Sequence, residues 1–416
     1  MRRPRGGGSL DAVRTGRVLL ALSLAGLGCG SRSSSTASPV DASAVDAEAS
    51  SPTDGGDASV VLDGPGPGPD GGDAAAPSGP LVAYASGYSG TIDLYAVDAS
   101  TGALTLRSSI PSFGTNPSFL AINRAATHLY AVDENATGRV GAYSIDPTSG
   151  ALTFQNAVTS GGSGPPFVAL DRSEAFVLVA NYTSGSVSVL PVQADGSLGN
   201  PVTTLTVGKN AHMILTDPSD HFAFVPCLGS DYVAQFLFDS ATGQLSPNVP
   251  ANVPTAAGAG PRHLAFHPNG KWVYLINETN STMTLYELDP DAGTLAETQT
   301  VSTLPSGFTG TNTAAEVRVH PSGAWVLGSN RGADDLVVFA VAPSTGTLTR
   351  VGLAPSGGAT PRDFTFDPTG TLVYAANQGA GNVVPFRFDA DAGTLTPTAA
   401  PVDLDAASFV GVTRLP

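Results

Sequence analysis

From residue 260 onward the chain alternates apolar and polar positions in a fixed rhythm. Gly260, Pro261, Arg262 and His263 lead into an apolar run that stops at His267. Pro268, Asn269 and Gly270 then supply a tight turn, and Trp272 to Ile276 resume the alternation as far as Asn277 and Glu278. A third run covers Met283 to Leu288, Asp289 to Gly293 form another turn, and Leu295 opens a fourth run. Period-two alternation cut by Gly, Pro and Asn predicts strands joined by hairpins. The segment therefore reads as one four-stranded antiparallel sheet.

The same unit recurs. A Gly stands two residues before a Leu at Gly102/Leu104, Gly150/Leu152, Gly196/Leu198, Gly243/Leu245, Gly293/Leu295, Gly346/Leu348 and Gly393/Leu395, at intervals of about 48 residues. A second marker keeps phase with it: an apolar strand ending in a small polar residue at Ser86, Asp133, Asn181, Cys227, Asn277, Asn330 and Asn377. Seven such units predict an all-β, seven-bladed β-propeller of four-stranded antiparallel blades. Residues 81–86 read as a second strand with no first strand before them, and Phe409 to Leu415 alternate like the missing one. The C-terminal strand is expected to close the ring in blade 1 and so remove the open sheet edges.

The N-terminus follows another pattern. Arg2, Arg3, Arg5, Arg14 and Arg17 precede an apolar run from Val18 to Leu27, then Gly28, Cys29 and Gly30. This is the layout of an export signal, too short to span a bilayer. The small residues before Cys29 resemble a bacterial lipobox, so residues 1–29 are expected to be a signal peptide with Cys29 lipidated; simple secretion is the alternative. Residues 30–80, rich in Ser, Ala, Asp, Pro and Gly, cannot bury enough apolar surface to fold and read as a disordered tether to the domain at 81–416. The expectation is an exported monomer, lipid-anchored to the cell envelope and touching the membrane only through that anchor. A net charge of -16 argues against nucleic-acid binding. With Cys29 consumed, Cys227 has no disulfide partner and is expected to be a small buried residue.

In a propeller the start of each first strand and the end of each second strand fall on one face. Around the ring those positions hold His212, Arg262, His263, Asn277, Glu278, Glu316, Asn330, Arg331, Arg362 and Asn377. Three arginines crowding one rim suit a carboxylate or phosphate, which guanidinium groups grip bidentately. Glu278, with His212 beside it, can take a proton there. The arginines could instead tie blades together, and the asparagines form turns. His267 and His320, each before a Pro, are expected to bond their own turns, while His128 and His221 belong to the opposite face. Ligand spacing for a metal is lacking, and neither metal nor cofactor is expected.

These residues carry a resemblance. Gly258 to His263 with Phe266 to Gly270, the Asn277–Glu278 pair, Ala314 to Glu316 and Ser329 to Gly332 resemble, in order, the seven-bladed propeller lactonase family, which includes one type of bacterial 6-phosphogluconolactonase and the fungal carboxymuconate cyclase. The likeness implies a metal-independent lactonase acting on a small anionic lactone. His212, Arg262, Glu278 and Arg331 would be catalytic, with His263, Glu316, Asn330 and Arg362 binding substrate beside them. A non-catalytic surface propeller that binds a glycan or protein and a muconate-type cycloisomerase are the alternatives. Cytoplasmic sugar-phosphate relatives lack an export signal, so a phosphorylated sugar lactone is not the expected substrate.

Overall fold

The structure, a computed structural model, describes residues 78–416. The signal, Cys29 and the tether as far as residue 77 lie outside the described residues; Gly79 and Pro80, expected to belong to the tether, are instead hydrogen-bonded to Leu415. Seven antiparallel sheets succeed one another along the chain, each running from an inner to an outer strand. Blade 5 matches the sequence expectation closely: Pro261–Phe266, Trp272–Asn277, Thr282–Asp289 and Thr294–Ser302. Blade 7 departs from four strands, because its outer edge is split into Thr394–Pro397 and Val402–Asp403, both paired with Asn382–Asp389. In blade 1 the inner strand is Ala407–Arg414, which pairs with Leu81–Gly87. The ring is thus closed by the C-terminal strand.

The recurrent glycine has two causes. All seven adopt positive φ, between 62° and 81°, a region that L side chains rarely enter. Each also docks a neighbouring blade: the buried second-strand tyrosines donate to these glycine carbonyls, Tyr84 to Gly150 at 2.7 Å, Tyr130 to Gly196 at 3.1 Å, Tyr274 to Gly346 at 2.8 Å and Tyr374 to Gly102 at 3.1 Å. A Cβ at Gly293 would lie 2.0 Å from the Phe222 ring. The spacing marker is therefore the joint between blades.

On the far face, one turn residue in each of blades 3 to 7 caps the hairpin between first and second strands. His267 accepts the Asn269 amide at Nδ1 (3.1 Å) and donates from Nε2 to Gly323 O (2.9 Å). His320 does the same with Ser322 (3.1 Å) and Gly370 (3.2 Å). Asp171, Asp217 and Asp367 hold the corresponding turns in blades 3, 4 and 7. His221 is exposed, whereas His128 is half-buried and bonds Asp195 O at 3.1 Å. Cys227 is a free buried thiol whose pKa burial pushes up to about 12. Among the described residues no helix is long and apolar enough to cross a membrane.

Candidate active site

Strand register assigns the axial residues to three layers. The lowest contains Phe409, Phe119, Phe167, Met213, His263, Glu316 and Asp363, one from each blade at the same place on the inner strand. All are buried. Four consecutive blades contribute apolar side chains and three contribute polar ones, so the axis has a dry half and a charged half. The phenylalanines pack on one another, with Phe119 centred 4.7 Å from Phe167 and 4.8 Å from Phe409, and Phe167 and Phe119 set their rings edgewise to His263.

One residue earlier along the inner strands stand His212, Arg262 and Arg362. In blades 5 and 7 the register slips at this residue, between Pro261 and His263 and between Pro361 and Asp363. Such a bulge re-aims the unpaired side chain. This is how adjacent residues, Arg262 and His263, both reach the axial site. The third layer is the residue after each second strand: Tyr88, Glu134, Tyr182, Leu228, Glu278 and Gln378, whose amides pair back to the neighbouring inner strand, with Arg331 at the same place in blade 6.

These layers form one connected cluster. Glu278 Oε2 lies 2.8 Å from Arg331 Nη2 and 3.1 Å from Arg262 Nε. The Arg262 contact is ionic, since its Nε–H makes no directed hydrogen bond. Arg262 and Arg331 are fixed by Ala315 O and Ala314 O in blade 6. The side chains of Glu278, Arg331, Arg362 and Glu134 stay partly exposed (12–22%) and so line an opening at the end of the axis, the cavity of this site. Across it Tyr88 donates to Glu134 at 2.6 Å, and Arg362 lies 3.8 Å from that carboxylate and over the Tyr88 ring. Burial, then Arg331 and Arg362, lower the pKa of Arg262 to about 9, which leaves it charged at neutral pH. Three guanidinium groups against the carboxylates of Glu278 and Glu134 leave one positive charge in excess, and burying that excess is costly unless an anion joins it.

His212 faces the same cavity, edge-on to Tyr182 at 5.6 Å. Its Nδ1 is 3.1 Å from His263 Nε2, and His263 Nδ1 is 2.9 Å from Glu316 Oε2. Arg318 joins Glu316 Oε1 (3.7 Å) to Asp363 Oδ1 (3.2 Å). Burial, followed by the surrounding arginines, holds both imidazoles well below the usual histidine pKa.

Of the residues singled out from the sequence, His212, Arg262, Glu278, Arg331 and Arg362 meet around this cavity. His263 and Glu316 lie behind it, fully buried, rather than open to a ligand. Asn330 differs from expectation: it is fully buried, with its amide spent on Thr303 and Asp335 and its Oδ1 on Thr303 and Asn312. Asn181, Asn277 and Asn377 likewise bond neighbouring strands. Sequence reasoning missed Tyr88, Glu134 and Tyr182, although they share the register position of Glu278 and Arg331.

Among curated proteins, 6-phosphogluconolactonase of Pectobacterium carotovorum is 38% identical over 190 residues, 45% of this chain and 56% of that protein. The protein of the same name from Yersinia pestis is 36% identical over 178 residues, 42% of this chain and 53% of its own length. The chain thus spans about half the length of the curated relatives it matches. Among solved structures, the periplasmic gluconolactonase of Pseudomonas aeruginosa superposes with a TM-score of 0.75 at 30% identity, covering 81% of this chain and all of that one. The family model described as lactonase, 7-bladed beta-propeller matches residues 80–412. With that match spanning the whole ring of blades, the chain belongs to the seven-bladed β-propeller lactonase family.

Proposed function

We propose that this protein hydrolyses a lactone bearing an acidic or sugar-derived group. The observation that carries the reading is the excess positive charge of Arg262, Arg331 and Arg362 beside the imidazole of His212. The curated relatives are named as 6-phosphogluconolactonases and the structural neighbour as a gluconolactonase, which supports the reaction class.

In this reading the arginines bind the substrate anion and the carbonyl oxygen. His212 takes a proton from water, the hydroxide attacks the lactone carbonyl carbon, and negative charge develops on an oxygen facing guanidinium donors. The ring C–O bond then breaks, and the proton on His212 passes to the departing ring oxygen, giving a hydroxy acid. Glu278, whose Oε2 is already shared by Arg331 and Arg262, is better suited to holding those arginines than to abstracting a proton. A placed base contributes about 10²- to 10⁴-fold and each oxyanion donor a comparable factor.

The work site is proposed to be outside the cytoplasm, with residues 1–29 as the export signal and Cys29 as its lipidated end. The periplasmic setting of the Pseudomonas neighbour supports export. The test is turnover of a panel of acidic, phosphorylated and neutral lactones, with spontaneous hydrolysis subtracted. Ring opening of an anionic lactone that Arg331→Ala abolishes is the expected result. No turnover of any lactone by folded protein would overturn the reading in favour of a binding propeller, and conversion of an unsaturated diacid instead would favour the cycloisomerase.

A further inference from the structure

Glu316 is anchored on one side only. Its Oε1 accepts the Val317 amide at 3.0 Å and faces Arg318, and its own amide donates to Ser329 Oγ at 3.0 Å. Oε2 is left for His263. A carboxylate only accepts hydrogen bonds, so the proton at the 2.9 Å contact sits on His263 Nδ1. The second nitrogen of that neutral ring then carries a lone pair, and the 3.1 Å contact to His212 is made only if His212 Nδ1 carries a proton. His212 Nε2 is consequently a bare lone pair. It has no hydrogen-bond partner among the described residues and is not among the polar atoms sealed from solvent.

We propose that Glu316 and His263 are positioning residues that lock His212 in the Nδ1–H tautomer, making its Nε2 the proton acceptor of the cavity. The assignment rests on the hydrolytic reading above, but its structural half does not need a substrate. Ordinary neutral histidine in water favours the opposite tautomer, so the lock has work to perform. It also supplies charge: a proton arriving on His212 enters the field of Arg262, Arg331 and Arg362, which Glu278 and Glu134 only partly cancel. Glu316, two rings behind and itself shared with Arg318 and Asp363, adds a negative charge along the hydrogen-bond line. The Phe119 and Phe167 edges on His263 keep water from breaking that line. The logic is that of a carboxylate orienting a catalytic imidazole, extended by one ring.

The experiment uses the full-length chain labelled with ¹⁵N-histidine, with His212→Gln and His263→Gln to assign two of its six histidine rings. Long-range ¹H–¹⁵N spectra of wild type should give both rings protonated Nδ1 and bare Nε2. Glu316→Gln keeps the shape but can offer its NH₂ to His263 Nδ1, reversing both rings so that His212 Nε2 becomes protonated. Its kcat on a hydrolysed lactone should drop about 10²- to 10⁴-fold with KM within about threefold, and Glu316→Asp should recover part of the loss. A wild-type His212 protonated at Nε2, or Glu316→Gln with unchanged kcat, overturns the proposal. If that variant does not fold, the wild-type spectra decide. If no lactone is hydrolysed, the tautomers still stand or fall alone, so failure of the lock and failure of the hydrolytic reading remain distinguishable.

Discussion

Glu278 and Arg331 meet at 2.8 Å across the boundary between blades 5 and 6. Their contact joins two sheets at the mouth of the cavity and sets how much positive charge a ligand meets. Replacing Glu278 with Gln removes the counter-charge of two arginines at once. The expected result is at least tenfold lower kcat/KM together with tighter inhibition by sulfate or phosphate. A loss of about 1–3 kcal/mol in stability should accompany it, below the range for a fully buried pair because Glu278 is partly wet. Denaturant titration and inhibition constants check both parts; weaker anion binding in the variant would contradict the charge argument.

Arg362 reaches the cavity from the opposite side, over Tyr88 and beside Glu134. Substituting Arg362 with Ala should raise KM for an anionic lactone about 10- to 100-fold, the worth of one charge-assisted contact. A neutral lactone of the same ring size should change by less than about threefold. Equal losses on both would assign Arg362 to the blade joint instead of to the ligand.

Ring closure depends on Ala407–Arg414, whose removal would leave Leu81–Gly87 as an unpaired edge. A chain ending at Ala400 should melt at least about 10 °C lower and aggregate on heating. Unchanged melting would mean that the other blades hold the ring without the closing strand.

His267 and His320 each accept an amide and donate to a carbonyl, which only a neutral ring can do. Burial lowers both pKa values. Below about pH 6.5 the unfolded chain binds protons that the folded one refuses, so their contribution is complete above that pH and is lost as pH falls through it. Asp171 and Asp363, raised mainly by burial, act in the opposite sense. A His267→Asn/His320→Asn double variant isolates the share of these two turns, since His212, His263 and the aspartates are common to both proteins. Its melting temperature should fall less than wild type's between pH 7 and 5.

Much of this was legible because it repeats. Glycines at positive φ and period-two alternation are local demands, met in the same way seven times, and the face on which Arg262, Glu278 and Arg331 converge follows from strand direction alone. Tyr88 and Glu134 escaped notice for a physical reason. The blade-1 strand runs one residue past its marker, to Gly87, which shifts Tyr88 out of phase, and the partner of both, Arg362, comes from the far end of the chain. Asn330 misled in the reverse way: it sits beside Arg331 in sequence, yet alternation turns it inward, where three neighbours saturate it. The lock behind His212 was hidden because it depends on side chains of three different blades.

The pairing of the first and last strands joins residues as far apart along the chain as Arg414 and Gly79, separated by 335 positions. Contacts of such separation form late, because the intervening chain must be ordered before they are rewarded. During synthesis Leu81–Gly87 emerges early and then waits for a partner that follows every other blade in the chain. Until those final residues appear, no circular order of blades is complete.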